Sequence, residues 1–200
     1  QNNETSIVID TGPDFRQQML GCKLKKLDAV LFTHEHRDHI AGLDDIRSFN
    51  FKQQKPMDVY AEERVIRALK HEFPYVFAEN KYPGVPSVNI HRINKESFSI
   101  GNMKVIPVRA MHYRLPVFGF RIGDFGYLTD ANFISEEEKE KFIGVKYLVV
   151  GALRKEKHIS HFTLDEAVSL INDLSPRRGY LTHMGHQMGK YAEIEKMVPP

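Results

Sequence analysis

Residues 28–47, DAVLFTHEHRDHIAGLDDIR, constrain this chain more than any other segment. An apolar β-type run leads directly into His34, His36, Asp38 and His39, and then into a helical pattern with Ile40, Leu43 and Ile46 on one side. The apolar run belongs in a core and the polar cluster does not, so the cluster must sit at the carboxyl end of a strand. In extended chain, side chains two apart face the same way, so His34, His36 and Asp38 are expected to converge while His39 turns elsewhere. Two adjacent metal positions are the natural outcome. Imidazole and carboxylate donors suit zinc, manganese or iron, and the lack of thiolates argues against a closed structural zinc site. The plain alternative is a set of surface histidines in a polar turn. It fits a lone His far better than three His and one Asp abutting a strand.

The rest of the chain alternates short β-rich runs with helical patterns. SIVID, DAVLF, MDVYA, SVNIHRI, MKVIPV, VFGFRI, FGYLT, KYLVV and GYLT are the strand candidates. Helices are expected over residues 39–49, 62–73, 135–142, 163–174 and about 190–197. Ser135 with Glu138, and Thr163 with Glu166, match the capping-box spacing. Helices interspersed among strands imply an α/β layered architecture rather than an all-β barrel. Residues 1–200 are expected to form a single domain, and the stretch 49–89, with Pro56, Pro74, Pro83 and Pro86, reads as a loop-interrupted insertion within it.

Composition excludes several function classes. Lys and Arg total 28 against 26 Asp and Glu, too even a balance to argue for a polyanion partner. One cysteine, Cys22, rules out an intrachain disulfide framework and fits a reducing compartment, so a cytoplasmic location is expected. The longest apolar stretch, Tyr147 to Leu153, is far short of the roughly 20 residues a membrane helix needs, so no membrane partner is expected.

A metal site needs ligands from distant sequence. His112 follows MKVIPVRA, Asp130 follows FGYLT and His183 follows GYLT, each just beyond an apolar strand, so these strand ends are expected to meet at one edge. His71, on a charged helical pattern, and His91, inside a strand, have no such placement and read as structural or solvated. The pattern leaves His158 and His186 unassigned.

THEHRDH matches the His-x-His-x-Asp-His signature of the metallo-β-lactamase superfamily, and His112, Asp130 and His183 resemble its later ligand motifs in order and context. The resemblance implies a four-layer αββα sandwich with a dinuclear site along the edge where strand ends meet. It implies that His34, His36 and His112 take one metal, that Asp38, His39 and His183 take the other, and that Asp130 bridges both. VIDTGPDFRQQML, HIAGLDDIRSF, YLTDAN, SHFTLDEAV and YLTHMGHQM further resemble the cyclic-phosphodiesterase-type branch, which includes the phosphodiesterase of carbon-phosphorus lyase metabolism. In that branch a further His before the late helix is catalytic, and His161 is the matching position. A capping or solvated loop residue is the bland alternative for it. Asp10 and Asp14 resemble a motif whose carboxylate holds ligand loops in place. Asp14 reads equally well as a helix cap. Asp44, Asp45 and Arg47 read equally well as a local ion pair on the helix face.

Relatives of the branch usually begin with a glycine-rich strand-loop, often carry a cysteine cluster holding a structural zinc, and continue into a further strand after the last helix. The sequence lacks these features, so part of the N-terminal and C-terminal family elements is expected to be missing. The resemblance then implies two divalent metal ions, zinc or manganese before iron, sharing a hydroxide that attacks a small cyclic or nucleotide-like phosphodiester. Asp38 and His161 would be the catalytic side chains. The same metal site leaves open a tRNA 3′-processing-type endoribonuclease, or a thioester, carboxylic ester or lactam hydrolase. A nucleic-acid substrate would need a basic docking arm that the sequence does not display, and a homodimer stays open.

Overall fold

Every strand candidate becomes a strand in the computed structural model, which describes residues 5–199. These residues fall into two compact units. One runs to Asn94 and includes Ile100–Asn102, and the other comprises Lys95–Ser99 and the chain from Met103 onward.

In the first unit, β1 (Ile7–Ile9) is followed by α1 (Phe15–Gly21), β2 (Ala29–Leu31), α2 (Arg37–Ile40), α3 (Arg47–Gln53), β3 (Met57–Ala61), α4 (Glu63–Glu72), α5 (Pro74–Phe77) and β4 (Val88–Arg92). The strands pair in the order β1-β2-β3-β4, all parallel. Parallel neighbours require long crossovers, and the helices supply them. The stretch 49–89 is therefore not an insertion. It contributes β3, α4, α5 and β4, half the strands of this sheet. Pro56 precedes β3, Pro74 opens α5, where a missing N–H costs nothing, and Pro83 and Pro86 lie in the loop before β4. Phe15, Val30, Phe32, Ile40, Leu43, Ile46, Val59, Val65, Leu69 and Val76 close one apolar core.

The helix expected over residues 39–49 is broken into α2, a 3-10 turn at Leu43–Ile46, and α3. Gly42 explains the break. A Cβ there would lie 2.4 Å from the Gly12 carbonyl oxygen and 2.7 Å from the Phe15 Cβ, and its N–H donates to the Thr11 carbonyl at 2.8 Å. The chain turns where only glycine allows this approach. Asp38 and His39 thus lie on a helical turn rather than in extended chain, and the alternation argument holds only for His34 and His36.

The second unit is built on β5 (Phe98–Ile100), β6 (Met103–His112), β7 (Leu115–Ile122), β8 (Phe125–Leu128), β9 (Phe133–Ile134), α6 (Glu136–Glu140), β10 (Tyr147–Gly151), α7 (Leu164–Leu174), β11 (Arg178–Thr182) and α8 (Tyr191–Ile194). The sheet order is β11-β10-β8-β7-β6-β5, with β9 on β6. β6, β7 and β8 are antiparallel, whereas β8, β10 and β11 are parallel, so the sheet is mixed. Val108, Val117, Leu128, Phe142, Leu148, Val150, Leu164, Ala167 and Leu170 form its core under α6 and α7. Thr163 and Glu166 make the full capping box at the start of α7. At α6 only half forms, because the Glu138 carboxylate accepts from the Arg109 N–H at 2.6 Å and from Lys141. Among the described residues no helix is long and apolar enough to cross a membrane.

Candidate metal centre

In the first unit, the loop after β2 carries the dense cluster and the loop after β1 holds it in place. His34 and His39 are buried, while His36 and Asp38 are exposed. The His34 ring lies 4.6 Å from His36 and 4.2 Å from His39 between centroids. Asp38 Oδ2 is 3.4 Å from His39 Nε2.

Asp10 organises these rings. It lies just beyond β1 with φ 61, a left-handed conformation that Asp tolerates better than most residues. One carboxylate oxygen accepts from the Thr33 N–H at 2.8 Å; the other accepts from the Thr33 hydroxyl at 2.8 Å and from His39 Nδ1 at 2.7 Å. With its proton committed to Asp10, the Thr33 oxygen, 2.9 Å from His34 Nδ1, can accept in turn. Both rings then carry their proton on Nδ1, which makes Nε2 the coordinating atom. Ligand histidines are commonly oriented in this way. Two backbone bonds lock the loops together, Thr11 N–H to the His39 carbonyl at 2.7 Å and Gly42 N–H to the Thr11 carbonyl at 2.8 Å. Asp14 makes no side-chain cap bond to α1.

The second unit gathers His112, Asp130, His158, His161 and His183. His112 ends β6, and its Nδ1–H donates to the Ser160 carbonyl at 2.8 Å. A carbonyl can only accept, so this ring also presents Nε2. Asp130 and His183 follow β8 and β11 with φ 50 and 56. His183 Nδ1 lies 3.1 Å from Asp130 Oδ1. Both residues sit in the left-handed region, which Asp and His enter more readily than most side chains. Gly151 permits this crowding: a Cβ there would lie 3.1 Å from the Asp130 nitrogen.

His161 stands in the middle. Its ring is 4.5 Å from His112, stacked 5.1 Å from His183 and 5.1 Å from His158, and its Nδ1 is 4.0 Å from Asp130 Oδ2. Burial pushes its pKa down to about 4; the neighbouring histidines add to this and Asp130 opposes it. At neutral pH the ring is uncharged.

His71 is exposed on α4, and His91 in β4 pairs with Asp58 at 2.9 Å and stacks on Tyr60. His186 is exposed in a 3-10 turn. Asp44 accepts from the Tyr75 hydroxyl at 2.7 Å, and burial together with that contact raises the Tyr75 pKa to about 12.

The donors fit divalent transition metals. Nitrogen and carboxylate oxygen predominate, the oriented rings present Nε2, and among the described residues the lone thiol, Cys22, is exposed and separate from this set. Two orienting groups were not singled out in the sequence. Thr33 stands next to His34 and was open to inference, but the Ser160 carbonyl is a backbone group with no sequence signal.

The family described as Beta-lactamase superfamily domain matches residues 5–184. A diphosphatase of the PhnP family, known as a crystal structure, superposes with a TM-score of 0.90 at 36% identity, covering 100% of this chain and 76% of that one. The octanoyltransferase of Porphyromonas gingivalis is 37% identical over 196 residues, 97% of this chain and 39% of that protein. A ribonuclease Z of Staphylococcus epidermidis is 26% identical over 120 residues, 58% of this chain and 38% of that protein. The chain thus spans about two fifths of the length of these curated relatives.

Proposed function

This chain belongs to the β-lactamase superfamily and, within it, to the PhnP family, and from that premise we propose that it is a metal-dependent hydrolase of small phosphodiesters. Its α/β fold is the metallo-β-lactamase fold. In this reading, which follows the family resemblance, His34, His36 and His112 would hold one divalent cation, Asp38, His39 and His183 would hold a second, and Asp130 would serve both. Two such cations, when bound, acidify a water and neutralise the charge that builds on a phosphoryl group under attack.

The chain's own residues supply the rest. Asp10 and Thr33 hold His34 and His39 in the tautomer that presents Nε2, and the Ser160 carbonyl does the same for His112. The Asp38 carboxylate accepts a hydrogen bond from the attacking water and aligns it. His161 carries the argument for phosphorus chemistry: it touches His112 and His183 yet lies outside the ligand set. Being neutral at pH 7, it offers an N–H to the departing oxygen and stabilises the charge appearing there, a contribution of about 100-fold to 1,000-fold, the scale of one donor aimed at a developing oxyanion. An alkoxide is a poor leaving group from phosphorus and gains from such a donor.

A diphosphate ester is the second reading, favoured by the 36% identity to the PhnP-family diphosphatase; its esterified phosphorus, like that of a phosphodiester, is flanked by two bridging oxygens. The test is a panel on metal-reconstituted protein: a ribose cyclic phosphate, a nucleoside diphosphate ester, a precursor tRNA, an octanoyl thioester and a lactam. Turnover of the cyclic phosphate, lowered about 100-fold in His161→Ala with metal content unchanged, supports the reading. Turnover of the thioester or lactam alone overturns it.

A further inference from the structure

The segment between β10 and α7 forms a closed loop. It is sealed by Leu153 N–H to the Phe162 carbonyl at 3.1 Å and Leu164 N–H to the Arg154 carbonyl at 2.9 Å, around a parallel bridge of Arg154 with Thr163. The loop touches each neighbour that matters. Phe162 N–H donates to the Ala131 carbonyl at 2.6 Å, one residue from Asp130, and Gly185 N–H donates to the Leu153 carbonyl at 2.8 Å, two residues beyond His183. At its tip, the Ser160 carbonyl accepts the His112 proton. The tautomer of His112 and the placement of His161 therefore depend on how this tip is held.

Within the loop, His158 Nδ1 accepts from the Ser160 N–H at 3.3 Å and lies 3.2 Å from the Ser160 hydroxyl, and Lys157 pairs with Glu166 of α7. Arg154 alone among these ties the tip to the turn after His183. The Arg154 guanidinium donates through Nε to the Glu156 carbonyl at 3.2 Å, through Nη2 to the Lys157 carbonyl at 2.9 Å, and through Nη1 to Gln187 Oε1 at 3.0 Å. Gln187 lies in the 3-10 turn His186–Met188, just past His183. Three divergent acceptors at fixed angles match the planar fork of arginine, and the single ammonium of lysine cannot serve them together. No other described side chain is shown bridging the tip and this turn.

We propose that Arg154 is a positioning residue for the reaction: by tying the 156–160 tip to the turn at 186–188, it keeps the Ser160 carbonyl on His112 and His161 stacked against His183. Its use in catalysis rests on the hydrolase reading above. Its effect on His112 does not.

The test therefore begins with metal-free protein labelled with 15N at histidine. In the wild type, the His112 Nδ1 proton is slow to exchange and visible by NMR. In Arg154→Ala and Arg154→Lys that signal broadens or disappears, although the thermal midpoint and the amide spectrum of the core stay those of a folded protein. In the metal-reconstituted enzyme kcat falls about 10-fold to 100-fold, the scale for losing a group that orients a ligand, while KM changes little. Gln187→Ala removes only one bond, at an exposed position, and shows the same signs in smaller measure, so the idea stays testable should Arg154→Ala fail to fold. Retention of the His112 signal in both Arg154 variants, or full kcat in Arg154→Lys, would overturn the proposal. A wild type that shows the NMR behaviour but cleaves no phosphate ester removes the proposed function and leaves the positioning role standing.

Discussion

Asp10→Asn separates two jobs of one carboxylate. Asparagine matches aspartate in shape and tolerates the left-handed conformation at φ 61, so the backbone has no reason to move. The oxygen facing the Thr33 amide can still accept that bond. The other oxygen, which accepts from the Thr33 hydroxyl and from His39 Nδ1, becomes an NH2 group that meets two donors. His39 can pair with it only by moving its proton to Nε2, the nitrogen assigned to the cation. Hydrogen bonds to a charged acceptor contribute about 1.5–3 kcal/mol each, and His39 recovers part of its bond after the tautomer switch, so the loss is about 2–4 kcal/mol. Against a stability of about 5–15 kcal/mol the variant stays folded. Metal affinity, by contrast, falls about 10-fold to 100-fold. Urea denaturation of metal-free protein measures the first effect, and calorimetric titration with Zn2+ or Mn2+ measures the second. An Asp10→Asn protein that binds metal as tightly as the wild type refutes the tautomer argument, whatever its stability.

Gly12→Ala places a Cβ 2.8 Å from the Asp38 carbonyl oxygen, a backbone atom that cannot step aside, so it should cost about 1–3 kcal/mol in urea denaturation and weaken metal binding through the displaced ligand loop. Thr163→Ala removes the acceptor for the Glu166 N–H and should lower stability by about 1 kcal/mol, read as a drop in thermal midpoint. Burial raises the Asp28 pKa, but the Ser6 N–H, Lys26 and Lys55 outweigh it and leave the carboxyl below its ordinary 3.8. Its contribution is therefore present above that value and lost as pH falls through the lower folded value, so the stability gap between wild type and Asp28→Asn should close in acid, below 3.8, in denaturation curves run as a function of pH.

The sequence was most readable where chemistry and periodicity coincide. His112, Asp130 and His183 could be singled out because each follows an apolar run, and the structure places each at a strand end. His161 was found by resemblance, since one histidine before a capped helix has little local signal. β5 and β9, three and two residues long, are too short for any alternation to show. α1 begins within GPDFRQQMLG, where glycine, proline and a polar run hide a helix that only the burial of Phe15 makes worthwhile. The break at Gly42 depends on a close approach to Gly12 and Phe15, thirty and twenty-seven residues earlier, which no local pattern encodes. Backbone partners such as the Ser160 carbonyl are invisible in sequence for the same reason: every residue has a carbonyl, and the fold alone decides which one meets a ring.

Hydrolysis of a ribose cyclic phosphate, followed as metal-free protein receives increasing equivalents of Zn2+ or Mn2+, tests the central claim most directly. With two cations acting together, activity stays low through the first equivalent, rises through the second and levels at two. Full activity at one equivalent, or none at any loading, contradicts it.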